Sequence, residues 1–328
     1  MSAVGPKTAL AETDADGSFK RTPSSFRDRV TARGGRFKAA PGRYHLYVSL
    51  ACPWASRCLA ALAIKGLEET IGVSVTEPTW RKTKPDDPQD KHMGWVFAPG
   101  GDKLKDRPTI RTLYEEVTAT ATKYTVPLLW CTVENTIVNN ESEDIVRMLN
   151  TEFNEFAKMP GIDLYPEELR EQIDGINAWT YPSINNGVYR CGFATSQEAY
   201  EQAFDELFEA LDRCEEILSG SRFLCGNRFT EADLRLFMTL IRFDEVYVVY
   251  FKTNKKMMRE YPNLFNYIKD IYQIPGVAKT VSMDHIKRHY FTSHPVLNAY
   301  GIIPKGYPMD YTSAHDRERL GPIEGLGS

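Results

Sequence analysis

The chain alternates between strand-like and helix-like patterns in its first half. Tyr44-His45-Leu46-Tyr47-Val48-Ser49 alternates like a half-buried strand. Ser56 to Lys65 then carries Leu59, Leu62 and Ala63 at helical spacing, and Gly66 is a natural helix stop. Between them stands Ala51-Cys52-Pro53-Trp54-Ala55, with Pro53 at the first helical position, where a missing N–H costs nothing. Ile71 to Thr76 reads as a second strand, and Thr109 to Thr122 is helical in character. Val126-Pro127-Leu128-Leu129-Trp130 is a strand opened by proline, and Thr136-Ile137-Val138 is its expected partner. Glu141-Ser142-Glu143-Asp144 opens a further helix with acidic residues in its first turn, as the helix dipole favours. Glu77 to Arg107 is rich in Pro, Gly, Asp and Lys; so long a loop in a compact domain is usually functional or an insertion.

Past Lys158-Met159-Pro160-Gly161 the character changes. Helical periodicity dominates through Glu167–Trp179, Ser196–Leu218, Thr230–Val246 and Pro262–Gln273. Thr230-Glu231-Ala232-Asp233 matches a capping box, with Asp where Glu or Gln is usual. The expected organisation is a polar, extended arm over 1–40, an α/β domain over 41–157, an all-helical domain over 158–300, and a tail over 301–328 that wraps or frays.

Composition narrows the function classes. The 328 residues suffice for two domains with real cores. A net charge of -4 gives no reason to expect a nucleic-acid or anionic-membrane partner. The apolar runs fall far short of a membrane span. Met1 to Lys20 has no apolar core for a secretory signal, and Glu12, Asp14 and Asp16 argue against a transit peptide. Six cysteines spread over such a length do not make a disulfide scaffold, so a reducing, cytoplasmic setting is expected. His285 and His289 stand four apart with His294 near, but no Cys or carboxylate completes a metal set, and none is expected.

The chemistry concentrates at Cys52. It is placed at a strand-to-helix turn, at the positive end of a helix, where the reactive thiolate is stabilised. The motif resembles the Cys-x-x-Cys site of thioredoxin-like proteins with Ala55 in place of the second cysteine. Such a site forms a mixed disulfide with an outside thiol, and a second outside thiol resolves it. Cys58, six residues on, faces another way. For Cys58, Cys131, Cys191, Cys214 and Cys225 the ordinary reading is a small buried side chain.

An α/β domain with a proline-led strand, followed by helices, is the layout of a glutathione transferase. More narrowly, the chain resembles the glutathionyl-hydroquinone reductases, also called Xi-class glutathione transferases. The resemblance rests on Ser49 to Ala55, Gly94-Trp95-Val96-Phe97, Thr125-Val126-Pro127, Asn140-Glu141-Ser142, Asn185 to Tyr189, Ala194 to Gln197, Arg242 to Tyr247 and Asp284 to Phe291. It implies a thioredoxin-like glutathione-binding domain, a helical substrate and dimerisation domain, and a homodimer. It implies Cys52 as nucleophile and Tyr189 as proton donor. Trp95, Lys123, Tyr124, Thr125, Val126, Glu141 and Ser142 would hold glutathione, both substrate and reductant. Tyr247 and Tyr290 would line the substrate site and support the thiolate. Members often carry Arg where this chain has Lys123; lysine pairs with a carboxylate, but not in a planar fork.

Each residue also has a plainer reading. Trp95 in a loop can cover a core edge. Glu141-Ser142 can simply cap a helix, although free N–H groups there also receive a carboxylate and the Glu141 side chain suits an ammonium. Tyr189 follows Asn-Asn-Gly, a turn signal. Tyr247, Tyr250 and Phe251 form a core stripe as readily as an aromatic platform. Pro127 is expected to be cis, exposing the backbone of Val126 to pair with a peptide. The activity implied is removal of glutathione from S-glutathionyl-hydroquinones. The alternatives are an omega-like thioltransferase or dehydroascorbate reductase, and a non-catalytic carrier of aromatic ligands.

Overall fold

A computed structural model describes residues 12–120 and 123–326. Residues 1–11 of the expected arm and the last two of the helix expected over 109–122 lie outside the described residues. Two compact units form, and they do not follow chain order. The first contains Glu12, Arg21–Lys158 and Val281–Ile303; the second contains Thr13–Lys20, Met159–Thr280 and Pro304–Ser328. The helical domain expected over 158–300 therefore differs at its end, because the segment from Val281 packs with the first unit.

The first unit is built on a mixed four-stranded sheet. Its strands are β1 (Tyr44–Val48), β2 (Gly72–Val75), β5 (Leu128–Cys131) and β6 (Thr136–Asn139), in the order β2-β1-β5-β6. β1 runs parallel to β2 and antiparallel to β5, with Leu46 opposite both Val73 and Leu129. The half-buried alternation expected of β1 is not found: all five of its residues are buried, because helices and the long loop cover both faces. Even its polar member is satisfied, with His45 Nε2 2.8 Å from Ser74 Oγ. Burial pushes the His45 pKa down to about 4, so the ring is neutral.

Helix α1 (Pro53–Lys65) starts at the expected proline and stops at Gly66, which takes φ 66, a left-handed value that glycine adopts without strain. It packs on α3 (Ser142–Thr151), where the Cys58 thiol donates to Ser142 O at 3.5 Å. The segment 77–107 is a packed part of the unit. It carries the small hairpin β3 (Arg81–Lys82) and β4 (Met93–Gly94) and leads into α2 (Ile110–Val117). Its end is pinned by Asp102, which accepts from Tyr47 Oη at 2.8 Å, Leu104 N at 3.0 Å and Arg107 Nη1 at 3.0 Å. Burial works to raise the Asp102 pKa, but these donors hold it below the usual carboxylate value.

The second unit is helical: α4 (Arg170–Thr180), α5 (Gly187–Gly192), α6 (Gln197–Gly220), α7 (Glu231–Leu240), the single turn α8 (Val248–Tyr250) and α9 (Pro262–Tyr272). The capping box at Thr230 is formed, with Asp233 Oδ2 accepting from Thr230 N at 2.9 Å. The helix expected to run to Val246 ends at Leu240 and passes into a π-helical turn, Phe243–Tyr247. The tail wraps: Arg317 is fully buried and donates to Leu218 O at 2.8 Å and Arg222 O at 3.0 Å. No helix among the described residues is long and apolar enough to cross a membrane.

Candidate active site

In the first unit, Cys52 is the N-cap residue of α1, with extended backbone angles and a half-exposed side chain. Its carbonyl accepts the helix's early N–H from Ser56 at 2.9 Å, and its side chain makes no capping bond. The sulfur lies 3.6 Å from Val126 O. The Val126–Pro127 bond is cis, as expected. The other five cysteines are all buried. Burial pushes Cys191 and Cys225 up to about 12, and Cys58 well above its ordinary value.

The backbone that reaches Cys52 is held from below. Tyr114 Oη donates to Thr125 O at 3.1 Å and accepts from Asn140 Nδ2 at 2.9 Å. Tyr114 was not picked out by the sequence, since a tyrosine on an amphipathic helix carries no distinguishing pattern. Tyr124 is half-buried, edge-on to Tyr114, and its hydroxyl donates to Glu115 at 3.3 Å. Glu141 is the N-cap of α3 and accepts from Glu143 N at 3.3 Å. Ser142 beside it is buried and donates to Glu141 Oε1 at 3.3 Å. Lys123 is held by Glu12, at 2.7 and 2.8 Å to its two oxygens.

Trp95 is only 7% exposed and lies in an aromatic cluster of the same unit. Its ring stacks on His289 at 4.5 Å and meets the edge of Trp80 at 5.5 Å. His289 and Tyr290 belong to α10 (Met283–Thr292), a helix absent from the expected elements. His289 Nδ1 donates to Pro78 O at 3.0 Å, which fixes its tautomer. Tyr290 is 2% exposed and packs edge-on to His289. His289 and His294 are ring neighbours at 5.4 Å, and among the described residues no group of three His, Cys, Asp or Glu stands where a metal could be held.

Tyr189 and Tyr247 are brought together in the second unit. Their rings lie 6.1 Å apart, and both pack on Phe251, at 5.2 Å from Tyr189 and 5.3 Å, stacked, from Tyr247. The turn expected at Asn185-Asn186-Gly187 is present only as the single residue Asn186, which joins a π-helical turn to α5. The chain stays helical, because the Asn185 amide is used on α7 instead, donating to Arg235 O at 2.9 Å and Thr239 Oγ1 at 2.8 Å. Gly192 allows the close approach of this nest: a Cβ there would stand 1.9 Å from the Phe251 ring.

A thiol at a helix N-terminus beside a cis-proline, on a sheet of this order with a separate helical unit, defines the class of the protein. Residues 51–152 match the family model for the glutathione S-transferase N-terminal domain, and 197–270 match that for its C-terminal domain. The chain is 46% identical over 315 residues to glutathionyl-hydroquinone reductase YqjG of Escherichia coli (strain K12), covering 92% of this chain and 93% of the relative. It is 45% identical over 295 residues to glutathionyl-hydroquinone reductase PcpF of Sphingobium chlorophenolicum, covering 88% and 90%. The glutathione-bound structure of YqjG superposes with a TM-score of 0.84 at 45% identity, over 90% of this chain and 96% of that one. A Xi-class transferase from Natrialba magadii gives 0.86 at 44% identity, over 94% and 96%. The chain belongs to the Xi class of the glutathione transferase family, the class of the glutathionyl-hydroquinone reductases.

Proposed function

We propose that the protein is a glutathione-dependent reductase that removes glutathione from S-glutathionyl-hydroquinones. The observation that carries this reading is Cys52: it is the half-exposed thiol of the six, at a helix N-terminus, with Ala55 where a resolving cysteine would stand. Glutathione is assigned to the surrounding groups by chemistry. The backbone of Val126 pairs with its peptide, Glu141 takes its ammonium, the start of α3 receives its γ-glutamyl carboxylate, and Lys123 takes its glycyl carboxylate. Trp95, Tyr124, Thr125 and Ser142 complete the assigned set, with Tyr247 and Tyr290 lining the substrate site and supporting the thiolate.

The Cys52 thiolate attacks the sulfur of the substrate thioether. The bond from that sulfur to the aryl carbon breaks, its electron pair stays with the ring, and Tyr189 supplies the proton that makes the carbon–hydrogen bond. Cys52 is left in a mixed disulfide with glutathione. A second glutathione thiolate attacks it, giving oxidised glutathione and the free Cys52 thiolate. The ring gains two electrons, one lost by the thioether sulfur and one by the sulfur of the second glutathione, and the proton released as that second thiol ionises restores Tyr189. The proton on carbon separates this reaction from disulfide exchange, whose leaving sulfur is already a stable thiolate.

A second reading, an omega-like thioltransferase, is favoured by a relative at 41% identity named glutathione S-transferase omega-like 2 in Schizosaccharomyces pombe (strain 972). It needs Cys52 but not Tyr189. The two are tested by turnover of a glutathionyl-hydroquinone against a glutathionylated disulfide at equal glutathione. Preference for the hydroquinone supports the proposal; turnover of the disulfide alone supports the rival. We also propose a homodimer joined through the helical unit, and a cytoplasmic setting where reduced glutathione is supplied.

A further inference from the structure

Within the first unit, the segment formed by Glu12 and Arg21–Arg27 touches the groups assigned to both charged ends of glutathione. The Glu12 carboxylate accepts twice from Lys123 Nζ, at 2.7 and 2.8 Å, and Oε1 also accepts from Thr22 N at 2.9 Å. The Glu12 side chain is only 3% exposed and that of Lys123 19%. Ser24 Oγ donates to Glu141 Oε2 at 2.9 Å. Arg27 holds Asp144, on the first turn of the same helix, with Nη2 3.0 Å from Oδ1. Between these contacts the Arg21 guanidinium lies 4.0 Å over the ring of Trp54, two residues past Cys52. Its positive charge also acts on Lys123.

We propose that Glu12 is a specificity-determining residue of the glutathione site: its carboxylate occupies Lys123 as a ligand carboxylate would, and glutathione must share or displace it. This rests on the assignment of Lys123 to the glycyl carboxylate. An ammonium has three N–H donors, and Glu12 takes two. Burial acts to raise the Glu12 pKa, but Lys123 and Thr22 hold it below the ordinary value, so the carboxylate is ionised at neutral pH. Ser24 donates to Glu141 just as an ammonium would, so the same segment stands in for the ligand at both assigned positions.

The test compares glutathione with its glycinamide analogue, in which the terminal carboxylate is a neutral amide. Binding of each to the full chain is measured by calorimetry, in the wild type and in Glu12→Gln. Glu12→Gln should bind glutathione about tenfold more tightly, the lower end of what one charged hydrogen bond contributes. It should bind the glycinamide as the wild type does. Glu12→Asp, whose shorter arm reaches Lys123 less well, should tighten glutathione in the same sense and serves if Glu12→Gln does not fold. Unchanged or weaker glutathione binding in the folded variants overturns the proposal and makes Glu12 a support for Lys123. A wild type that binds glutathione and glycinamide equally overturns the assignment of Lys123 itself, and that result is read before any variant is made.

Discussion

Cys52 faces Val126 and not a second thiol: its sulfur lies 3.6 Å from the Val126 carbonyl oxygen, and the position three residues on is Ala55. This pairing places the thiol beside the backbone of Val126, the residue that precedes the cis-proline Pro127. A peptide thiol laid along Val126 would meet Cys52 directly. It would then stay attached until another thiol from solution released it, since no cysteine of the site can.

Cys52 is therefore expected to be the one cysteine needed for turnover. Treatment with oxidised glutathione should give a single reducible adduct by intact-protein mass, lost in Cys52→Ser. The buried state of the other five supports this, because burial disfavours the thiolate at Cys58, Cys191, Cys214 and Cys225. An adduct that survives the substitution would place the reactive thiol elsewhere.

Glu141 both caps α3 and is assigned to the glutathione ammonium, so removal of the whole side chain would mix two effects. Glu141→Gln keeps an oxygen for Glu143 N and removes the charge. Glutathione binding should weaken by about 2 kcal/mol, the range of a charged hydrogen bond, with little change in thermal stability. Equal affinity by calorimetry would reduce Glu141 to its capping role.

The helical unit carries its own pH signature at Asp233. This carboxylate is fully buried and accepts from Leu224 N at 2.8 Å and from Thr230 N and Tyr267 Oη at 2.9 Å. Burial outweighs these donors and pushes its pKa up to about 6 from an ordinary 3.8. Between those values the folded chain keeps a proton that the unfolded chain has released. The contribution is thus fully present below the unfolded value and is lost as pH rises through about 6. The swing is about 3 kcal/mol, roughly two pH units at about 1.4 kcal/mol each. Urea unfolding of wild type and Asp233→Asn should show a stability difference that falls between about pH 4 and 6 and levels above. A difference that rises with pH contradicts the assignment.

Local signals in the sequence located much of this architecture. Pro53 and Gly66 bound α1 because a missing N–H and a left-handed residue each have a single natural place in a helix. Asp233 marked the capping box for the same reason. What failed depended on distant partners. Asn185-Asn186-Gly187 signals a turn, but not that this turn lies inside a helical run whose Asn185 amide bonds Arg235 and Thr239 on α7. Helix α10 went unread because its polar positions, such as His289, are satisfied by remote groups such as Pro78 O. Glu12 and Tyr114 gave no signal either: a lone acid in a polar segment and one tyrosine on a helix acquire their roles only through Lys123 and Thr125.

The most direct test of the proposed reaction is Tyr189→Phe, with hydroquinone release and disulfide exchange followed side by side. Phenylalanine keeps the ring that packs on Tyr247 and Phe251, so the hydroxyl alone is tested. If Tyr189 protonates the aryl carbon, hydroquinone release should slow by about a hundredfold, the lower range for a positioned acid. Exchange with a glutathionylated disulfide should change far less, since that leaving group needs no proton on carbon. Equal slowing of both reactions would contradict the account and assign Tyr189 to the thiolate or to the packing of its unit.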